Sequence, residues 1–301
     1  MTSVRVTDLV KDYSIRTGLK RTRLRAVDHV SLELTPGRTV ALVGESGSGK
    51  STIAKILTRM ETPSSGTVDV RLDDGTAVAR SRYRREVQMV FQDPFASLNP
   101  FHSIEHHIAR PLRIHKRTTT AEETRERVLE MLERVNLTPA ANIAPRRPHE
   151  LSGGQRQRVA IARALAPGAQ VLIADEPVSM LDVSIRLGVL NLLGRLQRED
   201  ALAVLYITHD LATARHFSDE IVVLYRGRVV ERGPSDAVIL DPHHEYTKLL
   251  ALAAPDPERP GRVTSSDPVD RETIDNSTCY DHFTGSWQEA GVPAAARAAA
   301  P

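Results

Sequence analysis

The stretch that most constrains this chain is TVALVGESGSGKSTIAKIL, Thr39 to Leu57. Its first part is a run of β-branched and aliphatic residues, the pattern of a strand buried on both faces. Its last part has helical spacing. Between them, Gly44-x-x-x-x-Gly49-Lys50-Ser51 must turn the chain from one to the other. Glycines let backbone N–H groups converge inward at such a turn, and the helix that follows aims its N-terminal partial positive charge at the same point. Strand, glycine loop and helix in this order form a cradle for phosphate oxygens. Gly44, Glu45, Ser46, Gly47, Ser48, Gly49, Lys50, Ser51 and Thr52 are therefore the candidate nucleotide-phosphate contacts. Lys50 is expected to reach the β- and γ-phosphates and Ser51 to ligate Mg²⁺. The alternative, a chance glycine-rich turn, does not account for the strand before it and the helix after it.

Two further apolar runs end in polar residues. QVLIADEP places Asp175 and Glu176 at a strand end, and LAVLYITHD places His209 at another. IRLGVLNLLGRLQRE, between them, has helical periodicity. Strand, helix, strand implies parallel pairing with chemistry at the strand C-termini. Beside a phosphate cradle, Asp175 is suited to hold Mg²⁺, leaving Glu176 to polarise a water for in-line attack on the γ-phosphate. Solvated loop carboxylates are the plain alternative. A lone histidine is more often structural, but at this strand end His209 could donate to developing negative charge. Gln92, closing QMVFQ, could reach the metal or the attacking water, although spacing alone is weak support.

A second glycine turn poses a separate question. Leu151-Ser152-Gly153-Gly154-Gln155 opens the helical segment RQRVAIARAL, yet one nucleotide needs only one phosphate cradle.

Composition sets limits. The 301 residues are 41% hydrophobic and 26% charged, enough for one or two ordinary cores. With 40 Lys+Arg against 38 Asp+Glu, no strong field singles out nucleic acid. The basic run Arg16 to Arg25 reads as a solvated hairpin tip, because no aromatic residues interleave it as a nucleic-acid contact would require. Cys279 is the single cysteine, which fits a reducing compartment and excludes a multi-cysteine metal site. No apolar run is long enough to span a membrane and no signal peptide is visible, so the chain is expected in the cytosol, reaching a membrane only through partners. The domain is expected to cover 1–254, with an N-terminal antiparallel β unit and a helical insertion over about 94–160. The proline-bearing tail, 255–301, is expected to be largely mobile.

GESGSGKST, VFQDP, LSGGQRQR, VLIADEP, SMLD and ITHD, in this order, resemble the full motif set of an ABC-transporter ATPase subunit over roughly residues 3 to 250. The resemblance implies an α/β fold, a P-loop NTPase of ABC ATPase type with a mainly parallel sheet core, an N-terminal antiparallel β subdomain and a helical subdomain. It implies ATP and Mg²⁺, with Gln92 as the Q-loop glutamine at the metal and attacking water, Asp182 as the D-loop aspartate and His209 as the switch histidine. Tyr13 resembles the aromatic that stacks on adenine, though a tyrosine near a strand end is more often simply packing. The second glycine turn then becomes a signature whose Leu151, Ser152, Gly153, Gly154 and Gln155 face an ATP held by another subunit.

FQDPFASLNP, RRPHELSGGQRQRVAIARAL and DPHHEYTKLL narrow the resemblance to oligopeptide and dipeptide importer ATPases, a group that includes nickel and other solute importers. Two departures stand out: Met180 where alanine is usual, and no clustered C-terminal cysteines. The implied partners are a second ATPase subunit, in a heterodimer by this narrower resemblance, two integral-membrane permease subunits and, through them, an extracytoplasmic solute-binding protein, with no nucleic acid. The implied location is the cytoplasmic face of the cell membrane. A soluble ABC ATPase acting without a pore is the rival class. A small-molecule kinase would share the phosphate loop but have no use for the signature.

Overall fold

Apolar side chains alternate along the central strands and divide the interior in two. The computed structural model describes residues 1–17, 20–253, 274 and 276–290. Along the chain, β1 (Thr2–Thr17) and β2 (Lys20–Leu34) form a long hairpin, β3 (Thr39–Val43) leads into the glycine loop, α1 (Lys50–Leu57) leaves it, and β4 (Ser65–Leu72) follows. Next come α2 (Arg80–Glu86) and β5 (Val87–Val90), then a helical block of α3 (Pro94–Ser97), α4 (Ile104–Ile114), α5 (Ala121–Arg134), α6 (Ala140–Ile143) and α7 (Gly153–Leu165). The chain continues through β6 (Val171–Asp175), α8 (Val183–Glu199), β7 (Ala203–Thr208), α9 (Leu211–Phe217), β8 (Glu220–Tyr225) and β9 (Arg228–Pro234). It closes with α10 (Ser235–Leu240), α11 (Glu245–Ala253), β10 (Thr278–Asp281) and β11 (Ser286–Glu289).

One sheet has three strands in the order β2-β1-β4, antiparallel throughout; the other has eight, in the order β11-β10-β9-β8-β3-β7-β6-β5. Its β5, β6, β7, β3 and β8 run parallel. Period-two alternation sends Val40 and Leu42 of β3 to one core with Val171, Ile173, Leu205 and Ile207, where α1 and the antiparallel sheet cover them. Ala41 and Val43 face the opposite core with Leu172, Ala174, Val204 and Tyr206, under α7, α8 and the rest of the helical block. Each fully buried aliphatic side chain contributes about 1.5–3 kcal/mol, so both faces of the sheet hold the parallel strand ends in place.

Side-chain caps start the helices of the block. Ser103 accepts from the His106 N–H for α4, and Thr120 from the Glu123 N–H for α5. Ser152 and Gln155 form a reciprocal capping box at the start of α7. After β4, which pairs along its length with β1, the chain turns back through a single bridge, Arg71 to Ala77.

The C-terminal region corrects one expectation. Residues 254–273, 275 and 291–301 lie outside the described residues, but 276–290 do not form the mobile tail that composition implies. There β10 adds to the sheet parallel to β9 through Tyr280↔Glu231 and Asp281↔Arg232, and β11 pairs antiparallel with β10. Polar anchors hold this hairpin. The wholly buried Glu231 lies 2.7 Å from His282 Nε2, Arg232 Nε donates to Asp281 at 2.9 Å, and the His243 ring stacks on Tyr280 at 3.7 Å.

Candidate functional site

Parallel register brings the chemistry together. Val43 pairs with Thr208, Asp175 with Ile207 and Val90 with Ala174, so the residues after β3, β5, β6 and β7 leave the sheet at one end. There a cavity of about 780 Å³ is lined by Gly44, Glu45, Ser46, Gly47, Gly49, Lys50, Ser51 and Thr52, together with Gln92, Glu176 and His209. Ser48 is turned inward and buried.

The loop needs its glycines. Gly49 has φ +108, in the left-handed region, and a Cβ there would stand 2.2 Å from the Ala26 carbonyl oxygen. A Cβ on Gly44 would stand 2.2 Å from the Leu224 carbonyl oxygen. Lys50 is 5% exposed, and its ammonium donates to the carbonyls of Gly44 and Glu45, both at 2.7 Å. Burial lowers its pKa, opposed by the carboxylates of Glu176, Asp175 and Glu45.

The acidic pair divides between two directions. Ser51 Oγ donates to Asp175 Oδ1 at 3.4 Å, and burial of Asp175 raises its pKa despite that bond. Glu176 follows with φ +44, an unusual conformation for a glutamate, and its N–H donates to the Ile207 carbonyl at 2.9 Å. This turn aims the side chain back over the phosphate loop. Gln92 Nε2 donates to Glu176 Oε2 at 2.9 Å, and His209 Nδ1 lies 3.3 Å from Oε1, an ion pair whenever the imidazole is protonated. Asp210 caps α9 by accepting from Ala212 and Thr213, which fixes the backbone beside His209.

Tyr13 lines the cavity beside Leu24, its partner across the β1–β2 hairpin, and Lys11 Nζ sits 4.9 Å from the Tyr13 ring centroid. Leu24, Ala26 and Leu250 also line it, and Tyr246 bonds the loop through Glu45; none of the four is a candidate from the sequence. They come from β2 and α11, so only the folded topology brings them near residues 44–52.

The signature residues are elsewhere. Among the described residues lining this cavity, none comes from 151–155 and none is Asp182. Leu151 is a buried anchor in the helical core, whereas Ser152 and Asp182 are exposed at the starts of α7 and α8. A second cavity, about 1240 Å³, lies beside the first between the end of β5 and α4, and Ser51, Gln92 and Asp175 line it.

With this geometry in view, a family model described as "ABC transporter" matches residues 27–179. The di/tripeptide transport ATP-binding protein DppF of Pseudomonas aeruginosa is 45% identical over 262 residues, which span 84% of this chain and 80% of that protein. The glutathione import ATP-binding protein GsiA of Escherichia coli O6:H1 is 47% identical over 274 residues, spanning 88% of this chain but 44% of the relative, so this chain covers under half the length of that protein. Among solved structures, a dimeric post-hydrolysis ATP-binding cassette bound to ADP and Pi superposes with a TM-score of 0.65 at 32% identity, covering 77% of this chain and 98% of that one. CbiO1 from Clostridium perfringens, part of an ABC transporter complex, gives 0.66 at 28% identity, covering 79% and 90%.

Proposed function

The chain belongs to the ABC transporter family, and from that premise we propose that it is the ATP-hydrolysing subunit of an importer for peptides or a related small solute. The observation that carries this reading is the bracketing of Glu176 by Gln92 and His209 over a cavity floored by the phosphate loop, with the signature left outside that cavity. Such a site is half built. A second ATPase subunit, paired head to tail, would supply its own signature to the nucleotide on this chain's loop, while Ser152, Gly153, Gly154 and Gln155 of this chain serve the nucleotide on the partner's loop. The dimeric relative bound to ADP and Pi supports that pairing.

In this reading the phosphate loop and Lys50 hold the phosphates, and Tyr13 packs against the adenine. Glu176 takes a proton from the attacking water, Gln92 positions that water, and His209 donates to the charge that grows on the γ-phosphate. Ser51 and Asp175 bring two hard oxygen donors together from separate elements, which fits Mg²⁺ with Gln92 as a third expected ligand. Mg²⁺ there would supply charge neutralisation to the phosphates. Each charge-assisted hydrogen bond lost with the γ-phosphate is worth roughly 1.5–3 kcal/mol, enough for hydrolysis to release the dimer.

Among the described residues no helix is long and apolar enough to cross a membrane, so membrane attachment falls to two permease subunits. The surface from Gln92 to Phe101, where Phe95 and Phe101 are exposed, is their contact with this chain. DppF and GsiA carry di/tripeptide and glutathione names, and these relatives favour a short peptide as the solute delivered by an extracytoplasmic binding protein. Purification from detergent-solubilised membranes tests the assignment. Recovery with two integral-membrane subunits and a second ATPase, with ATPase activity raised by a peptide-loaded binding protein, is expected. A chain that stays soluble and alone would refute the importer role.

A further inference from the structure

The phosphate loop is braced from the C-terminal side. Tyr246, the second residue of α11, is wholly buried, and its hydroxyl accepts a hydrogen bond from the Glu45 N–H at 2.8 Å. Its ring lies 4.3 Å from that of Tyr225, the last residue of β8. The base of α11 is fixed in turn. Both oxygens of the buried Glu231 carboxylate accept backbone N–H groups, from His243 at 2.9 Å and His244 at 3.0 Å. His244 Nδ1 then accepts the Tyr246 N–H at 3.1 Å.

The Glu45 N–H belongs to the same planar peptide as the Gly44 carbonyl, and in a trans peptide the two point in opposite directions. The Gly44 carbonyl is the one that accepts from Lys50 Nζ at 2.7 Å. One rigid amide therefore joins the Tyr246 hydroxyl to the Lys50 ammonium. We propose that Tyr246 is a positioning residue for nucleotide binding: by holding the Glu45 N–H it sets the plane of the Gly44–Glu45 peptide, and through it the place from which Lys50 meets the phosphates. Tyr246 does this without touching the nucleotide, and the proposal rests on the phosphate-loop reading above.

Tyr246→Phe removes the acceptor and keeps the ring packed against Tyr225. In the full chain, equilibrium titrations with MgATP and with adenosine are compared between wild type, Y246F and K50A, and the Glu45 amide resonance is followed by NMR. Loss of one hydrogen bond of ordinary strength corresponds to about a 2- to 12-fold weaker Kd for MgATP. Adenosine, which lacks phosphates, should bind unchanged, and the Glu45 resonance should move. A purely structural role would lower the melting temperature without altering the ratio of the two affinities. A ring-fluorinated tyrosine at 246, a weaker acceptor of nearly the same shape, should give a smaller change of the same sign, and it serves should Y246F fold poorly. An unchanged affinity ratio in both variants overturns the proposal if K50A abolishes MgATP binding. Intact MgATP binding in K50A instead overturns the phosphate-loop reading, and the proposal with it.

Discussion

Gln92 and Glu176 are joined by a hydrogen bond of 2.9 Å across the mouth of the phosphate cavity, the amide Nε2 donating to carboxylate Oε2. Their parent strands, β5 and β6, are paired neighbours, yet Gln92 stands at the head of the helical block and Glu176 above the loop. A shift of the helical block is therefore felt by the carboxylate within one side-chain contact.

Glu176→Gln keeps the shape and the polar contacts but removes the base. Turnover should fall by roughly 10²- to 10⁴-fold, as for loss of a general base, while MgATP affinity stays close to wild type. Phosphate release and an equilibrium titration on the same preparation measure both, and undiminished turnover would remove Glu176 from that role.

Ser152 lies outside the cavity of its own chain, so Ser152→Ala should leave MgATP affinity of the isolated subunit unchanged. Its ATP-dependent pairing with the second subunit, followed by size-exclusion chromatography coupled to light scattering, should weaken. The lost cap should also cost α7 about 0.5–2 kcal/mol, visible in thermal melts. A large loss of nucleotide affinity in the monomer would contradict a contact made from the opposite subunit.

Glu86 is 1% exposed and accepts from Arg82 Nε at 2.7 Å, Arg85 Nη2 at 3.2 Å and Thr2 Oγ1 at 3.1 Å. Burial works to raise its pKa, but these bonds prevail and hold it below the usual glutamate range. A depressed folded-state pKa means stability that is present above the ordinary glutamate pKa and lost as pH falls through the lowered one. Glu86→Gln should therefore destabilise the chain by about 1.5–3 kcal/mol at neutral pH, with the gap from wild type closing in acid. Denaturant melts across that pH range should show the convergence, and a constant gap would rule out the charge as its source.

Much of this arrangement is legible from local pattern. The phosphate loop stands between a five-residue buried strand and a helix, and β6 and β7 are apolar runs ending at Asp175 and Thr208. The terminal hairpin is not legible in this way. Thr278–Asp281 and Ser286–Glu289 are four-residue strands with little apolar content, recruited to the sheet by Glu231, Arg232 and His243 from far along the chain. Tyr246 and Leu250 escape notice for the same reason, since their helix reads as ordinary amphipathic sequence until the fold lays it against residues 44–52.

His282→Ala tests how that hairpin is held. The substitution leaves the buried Glu231 without its ring partner, and a charge-assisted bond of this kind contributes about 1.5–3 kcal/mol. Cys279, 4% exposed within β10, is a built-in reporter. Its rate of thiol labelling should rise in the variant well before global unfolding, whereas an unchanged rate would show that His282 does not secure the hairpin.

Gly154 in α7 faces Ile185 in α8 so closely that a Cβ would come within 2.6 Å of Ile185 Cγ2. Ser152 and Asp182 are the residues that precede these two helices. The missing methyl group thus works as a spacer gauge: by letting α7 and α8 close on each other at Gly154 and Ile185, it sets how far apart the two exposed residues stand.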